Sequence, residues 1–192
     1  MKCASCTEKS CRFDKDCTNI KEKVRNSYTN DEIGLMKAAG EVEARYYMQK
    51  TRIEEIIIFS KKMNYKKLGL AFCVGLERET YKINKILEKH FKVYSVCCKV
   101  CGIDKDEYDI DKIQRGSWES LCNPLAQAEI LNKKDTDINI AIGICLGHDM
   151  LFSKHSRAPV TTLIVKDRVL AHNPAGAIYS KYYMNKILNS DL

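Results

Sequence analysis

Lys67-Leu68-Gly69-Leu70-Ala71-Phe72-Cys73-Val74-Gly75 decides the fold of this chain. The run from Leu68 to Val74 is continuously apolar and too short for a helix, as expected of a strand buried on both faces. Gly75 then turns the chain, and Leu76, Thr80, Ile83 and Leu87 recur at helical spacing up to His90. Phe91 to Val96 reads as a second strand, which makes a βαβ unit. Outward from it, a polar connection runs from Asp104 to Trp118, and Asn123-Pro124 opens a helix through Asn132. Ile138 to Ile144 is a third apolar run. Alternating strand and helix predicts an α/β fold, an open, mostly parallel Rossmann-like sheet flanked by helices. Val160–Val165 and Val169–His172, around Lys166-Asp167-Arg168, read as an antiparallel hairpin at one edge. Ala175 to Leu188 reads as one closing helix.

Upstream of the sheet, two capping-box signatures, Thr29 with Glu32 and Thr51 with Glu54, predict a pair of antiparallel helices. Before them, Cys3, Cys6, Cys11 and Cys17 follow the spacing C-x2-C-x4-C-x5-C in a polar segment with no core of its own. The reading therefore divides the chain into a cysteine-rich metal-binding knot (1–18), a helical segment packed on the core (19–66) and an α/β domain (67–192).

The protein has 192 residues, ten cysteines and a formal net charge of +7. No apolar run approaches a membrane span and no basic-then-apolar leader opens the chain, so the expectation is a soluble, cytoplasmic protein without membrane contact. In that compartment thiols stay reduced, and ten of them argue for metal or thiol chemistry over disulfides. Four thiolates on a divalent ion or a cubane cluster leave the site at about −2, so two such sites would absorb much of the basic excess. Nucleic acid is disfavoured as a partner, because only Phe13 stands among the first cysteines as a stacking aromatic.

Crowded thiolates repel and oxidise unless a metal neutralises them, so Cys3, Cys6, Cys11 and Cys17 are expected to hold a metal. Zinc is preferred there over an iron-sulfur cluster, since the loop offers little apolar shielding, although neither the zinc-ribbon nor the ferredoxin spacing fits cleanly. The other cysteines fall at strand ends. Cys73 ends the first strand, Cys97 and Cys98 the second with Cys101 just beyond, and Cys145 the third, while Cys122 precedes the Asn123-Pro124 helix start. A parallel sheet gathers such positions at its carboxyl edge. Cys73, Cys98, Cys122 and Cys145 are thus expected to hold a second centre, an iron-sulfur cluster, with Cys97 on the opposite face of its strand. His148 is a candidate proton carrier or ligand, with Asp149 to orient its ring. Walker, GxGxxG, HExxH and GxSxG motifs are absent.

On its first cysteine cluster, Ala71-Phe72-Cys73-Val74-Gly75-Leu76, Ser95-Val96-Cys97-Cys98-Lys99, Cys122-Asn123-Pro124 with Gln127-Ala128-Glu129, Gly143-Ile144-Cys145-Leu146-Gly147-His148-Asp149 and Ala158-Pro159-Val160-Thr161-Thr162, the chain resembles a prokaryotic cysteine-rich family. That family, domain of unknown function 1847, is described as metal-binding, and the likeness spans nearly the whole chain. It implies metal binding and no settled activity. A looser similarity of arrangement is to the iron-sulfur desulfidases, in which three strand-end cysteines leave one iron open to substrate sulfur. This chain has more candidate ligands, so an open iron does not follow. The expected function is metal binding, with sulfur or electron transfer involving a small thiol or sulfur-containing molecule, or a redox partner. The alternative is a non-catalytic metal or redox sensor, or a metal carrier, with structural zinc only.

Overall fold

A computed structural model describes residues 1–190 and divides the chain into two compact units, one from Met1 to Arg45 and one that begins at Tyr46. The first opens with two single turns of 3-10 helix, Cys3–Ser5 and Ser10–Phe13, followed by α1 (Lys21–Arg25) and α2 (Asn30–Tyr46). Asp16 organises the entry to α1: its carboxylate accepts the Thr18 hydroxyl (2.7 Å) and the backbone N–H groups of Lys21, Thr18 and Asn19, which hold its pKa down to about 2. Thr29 and Glu32 form the expected reciprocal cap, the Glu32 N–H donating to the Thr29 hydroxyl and the Thr29 N–H to the Glu32 carboxylate.

The second unit runs α3 (Arg52–Lys62), β1 (Lys67–Phe72), α4 (Glu77–Leu87), β2 (Lys92–Cys97), α5 (Pro124–Asn132), β3 (Ile138–Ile142), α6 (His148–His155), β4 (Val160–Ile164), α7 (Ala175–Tyr179) and α8 (Lys181–Leu188). Thr51 and Glu54 make the capping box that starts α3. All four strands are parallel, in the order β2-β1-β3-β4. This is the open α/β sheet that the sequence predicts.

Alternation along the strands builds two cores. Leu68, Leu70, Ile138, Ile140 and Ile142 face one side, where they pack with Ile83 and Leu87 of α4 and Ile56 of α3. The other side carries small residues, Ala71 and Ala141, under Ala128 and Leu131 of α5 and Phe152 of α6. Gly69 faces the same side, and a Cβ built there would lie 2.0 Å from Asn139 Oδ1 and 2.9 Å from a Leu131 methyl. Asn139 is itself buried: its Oδ1 accepts the Thr136 hydroxyl and its Nδ2 donates to Ser156, both at 2.8 Å.

Two expectations are corrected. β4 does not turn back into a hairpin. It is reached from β3 through α6 and pairs parallel, while Val169–His172 is curled into a turn: Asp167 Oδ1 accepts the N–H groups of Val169 and Leu170, and Ala171 and His172 take left-handed backbone at φ 49° and 64°. The closing helix is also two helices. Ser180 adopts extended backbone between them and its hydroxyl caps Tyr183, which ends α7 and starts α8. No helix among the described residues is long and apolar enough to cross a membrane.

Candidate functional site

The strand order reverses at β1, which has β2 on one side and β3 on the other, and a parallel sheet opens a crevice beyond its carboxyl edge at such a point. The loops that leave this edge after β1, β2 and β3 each carry a cysteine. Cys73 follows β1 and its N–H continues the ladder onto Ile142 O at 3.1 Å. Cys98 follows β2 with its N–H on Phe72 O at 2.8 Å. Cys145 lies three residues past β3. Cys122 arrives by a different route: the Asn123 N–H donates to Cys98 O at 2.7 Å, which folds the 104–121 loop back and sets Cys122 beside Cys98.

Cys73, Cys98, Cys122 and Cys145 all line one cavity of about 640 Å³, together with His148. Cys73 and Cys98 are buried, Cys122 and Cys145 half-buried. Cys98 stands between Cys73 and Cys122, close enough to shift the ionisation of both, and its sulfur accepts the Val74 N–H at 3.3 Å. The two outer thiols are drawn toward thiolate. Cys73 falls to about 4 through Cys98, then the Gly75 N–H and the Lys166 ammonium, whose Nζ stands 3.2 Å from its sulfur. Cys122 falls to about 5 through Cys98, with the charges of Lys99 and His148 adding to the effect. Cys98 moves the other way, because two thiolate neighbours and burial both disfavour a third charge. Arg168 donates to Cys145 Sγ at 3.0 Å.

His148 is the first residue of α6 and its N–H donates to Cys145 O at 3.0 Å. Its Nδ1 is buried without a hydrogen-bond partner. Asp149 does not orient that ring: its carboxylate accepts the N–H of Met150 at 2.8 Å. Cys97, in the β1–β2 ladder, and Cys101, exposed with φ 75°, stand outside the cavity lining. In the first unit, Cys3, Cys6, Cys11 and Cys17 are exposed free thiols. Among the described residues, no group of three or more His, Cys, Asp or Glu side chains is arranged as a ready coordination shell.

Three parts of the site were not foreseen from the sequence. Lys166 and Arg168 are its cationic partners, and their alternation about Asp167 was the available signal, hidden because the stretch reads as a hairpin turn. Gln127 is the third. Buried in α5, its Nε2 donates to Val96 O (2.8 Å) and Phe72 O (3.2 Å), clamping the ends of β1 and β2 just before Cys73 and Cys98. Gln127→Leu should cost about 1 kcal/mol by removing both of these bonds, the Phe72 carbonyl keeping the Cys98 N–H. A denaturant melt checks this, and a cost under about 0.5 kcal/mol would show that the clamp is idle.

A family model described as "Protein of unknown function (DUF1847)" matches residues 11–163. An uncharacterised protein of Methanocaldococcus jannaschii is 57% identical over 190 residues, 98% of this chain and 98% of that protein. No solved structure matches the chain.

Proposed function

This chain belongs to the DUF1847 family of proteins of unknown function, and from the geometry of its cavity we propose that it works through a thiol-centred metal site at the sheet edge. The observation that carries the reading is the set Cys73, Cys98 and Cys122, three thiols brought from three separate loops to line one open cavity, where each influences its neighbour's ionisation. Soft thiolate donors suit a thiophilic metal, and the orphaned Nδ1 of His148 is a further donor in want of a partner. Cys73, Cys98 and Cys122 would hold the centre with Cys145 as fourth ligand, an iron-sulfur cluster in the first instance. Such a centre supplies an electron store or a soft acceptor for substrate sulfur.

The chain's own residues prepare the rest. Lys166 stabilises anionic sulfur at Cys73 and Lys99 does so at Cys122, Arg168 hydrogen-bonds Cys145 Sγ, and His148 is the cavity's proton carrier. The resulting role is sulfur or electron transfer with a small sulfur-containing molecule or a redox partner. The quartet Cys3, Cys6, Cys11 and Cys17 would hold a separate metal, zinc by preference, as a structural anchor. A second reading is metal-free thiol exchange. It is favoured by the Lys166 ammonium already bonded to Cys73, which stabilises that thiolate without any metal.

Anaerobic purification followed by iron, zinc and acid-labile sulfide analysis tests the proposal. Wild type should carry iron and sulfide, Cys73→Ala should lose them while keeping the N-terminal metal, and Cys3→Ala should show the reverse. Undiminished metal in Cys73→Ala removes the sheet-edge site. A colourless protein with zinc alone removes the iron-sulfur form.

A further inference from the structure

The wall opposite the thiols is built in an unusual way. The 104–120 loop is closed at its base by the antiparallel bridge Asp104–Ser120, with the Leu121 N–H on Ile103 O at 2.8 Å. Its interior is charged: the Lys112 side chain is 6% exposed and pairs with Asp104 at 2.7 Å and with Asp106. Lys105 and Glu119 form a second pair at 2.8 Å. Its apolar side chains are turned outward instead, Ile113 at 93% exposed and Trp118 at 69%, and both line the same cavity as Cys122.

A loop of this length ordinarily holds its shape by burying its own apolar side chains. Here ion pairs hold it, which leaves Trp118 and Ile113 free to meet something else. A metal ion alone needs neither an apolar wall nor about 640 Å³ of space, a volume within the usual range for a small organic ligand.

We infer that the cavity binds a small organic thiol, its sulfur directed to Cys122 and Cys98 and its apolar body laid against Trp118 and Ile113. The inference rests on the thiol row being the working centre, and it names the substrate class that centre serves. Sulfur recognition comes from the floor: a thiol S–H can donate to the Cys122 sulfur, or its sulfur would reach a soft metal held there. Selectivity for an aryl or branched alkyl body comes from the wall.

Trp118 is the chain's single tryptophan, so its emission reports on this cavity alone. Anaerobically purified protein is titrated with phenylmethanethiol, with phenylmethanol, which keeps the ring and replaces the sulfur, and with ethanethiol, which keeps the sulfur and drops the ring. The expected result is a saturable change in emission with phenylmethanethiol, at an affinity at least tenfold above either comparator. Ile113→Ser, a change at an exposed position, should weaken it roughly threefold to tenfold through lost apolar contact. Cys122→Ser should erase the advantage of the thiol over the alcohol. No saturable change, equal affinity for the three compounds, or indifference to both substitutions overturns the inference. Protein that carries no metal yet shows this dependence on ring and sulfur keeps the ligand class and loses the metal reading; metal-loaded protein blind to the ring does the opposite.

Discussion

Cys98→Ala should raise the thiol pKa of both Cys73 and Cys122 in metal-free protein, because Cys98 is the foremost influence holding each of them down. With Cys122 held to about 5, its thiolate dominates above that pH in wild type and fades only as pH falls through 5. A thiol returned toward its ordinary value of 9.0 is only about 1% thiolate at pH 7. Iodoacetamide labelling of Cys122 at pH 6.5, followed residue by residue with mass spectrometry, should therefore slow by roughly threefold to eightfold once the greater intrinsic nucleophilicity of a higher-pKa thiol is allowed for. In anaerobically purified protein the same substitution should remove the sheet-edge metal, since it takes out the middle donor. Cys97→Ala is the matched control, one residue away and off the cavity, and should leave both readouts unchanged. Unaltered labelling in Cys98→Ala would show that the row is not electrostatically linked.

The largest expected loss of stability comes from a single methyl group. Gly69→Ala places a Cβ 2.0 Å from Asn139 Oδ1 of β3 and 2.9 Å from Leu131 Cδ1 of α5. Asn139 has little room to yield, because both ends of its amide are hydrogen-bonded and the residue is fully buried. Either the helix moves off the sheet or the amide loses its partners, at a cost of about 3 kcal/mol. For a chain of this size that corresponds to a fall of roughly 6–12 °C in Tm. Gly34→Ala gives the contrast: within α2 nothing lies within 4 Å of the added methyl, and helix propensity should gain about 0.5–1 kcal/mol. A Gly69→Ala melt within about 2 °C of wild type would mean that α5 is not seated as closely as described.

The central part of the sheet was legible because burial on both faces leaves an apolar run that few other structures produce. Leu68 to Val74 and Ile138 to Ile144 are such runs, and the Leu76–Leu87 stripe joins the first to β2. α6 was not legible. Only Phe152 of its eight residues is buried, so no stripe marks it, and without it β4 looks like half of a hairpin. Strand direction there is decided by a crossover helix whose own sequence is nearly silent.

The site divides along a similar line. Cys73, Cys98 and Cys145 could be brought together on paper because a parallel sheet places successive strand ends on one edge. Cys122 could be placed only by the start of its helix, while its actual position depends on one long-range bond, Asn123 to Cys98. Lys166 and Arg168 were unreadable for a further reason: the Asp167 turn that presents them resembles any polar turn until its surroundings are known. The spacing of Cys3, Cys6, Cys11 and Cys17 was plain from the start, yet spacing fixes donors in sequence and does not converge them in space.

The central place of β1 also sets an order of assembly. Its partner β2 follows after one short helix, and Cys122 with α5 comes next, so the row Cys73–Cys98–Cys122 is complete in sequence before β3 exists. A chain emerging from the ribosome carries the three-thiol row while Cys145, Lys166 and Arg168 are still to be made. Parallel pairing that waits on distant segments is slow to close, and the thiols meet cellular oxidants and free metal ions during that interval. Under the metal-site proposal, three of the four ligand cysteines therefore precede the fourth in the growing chain.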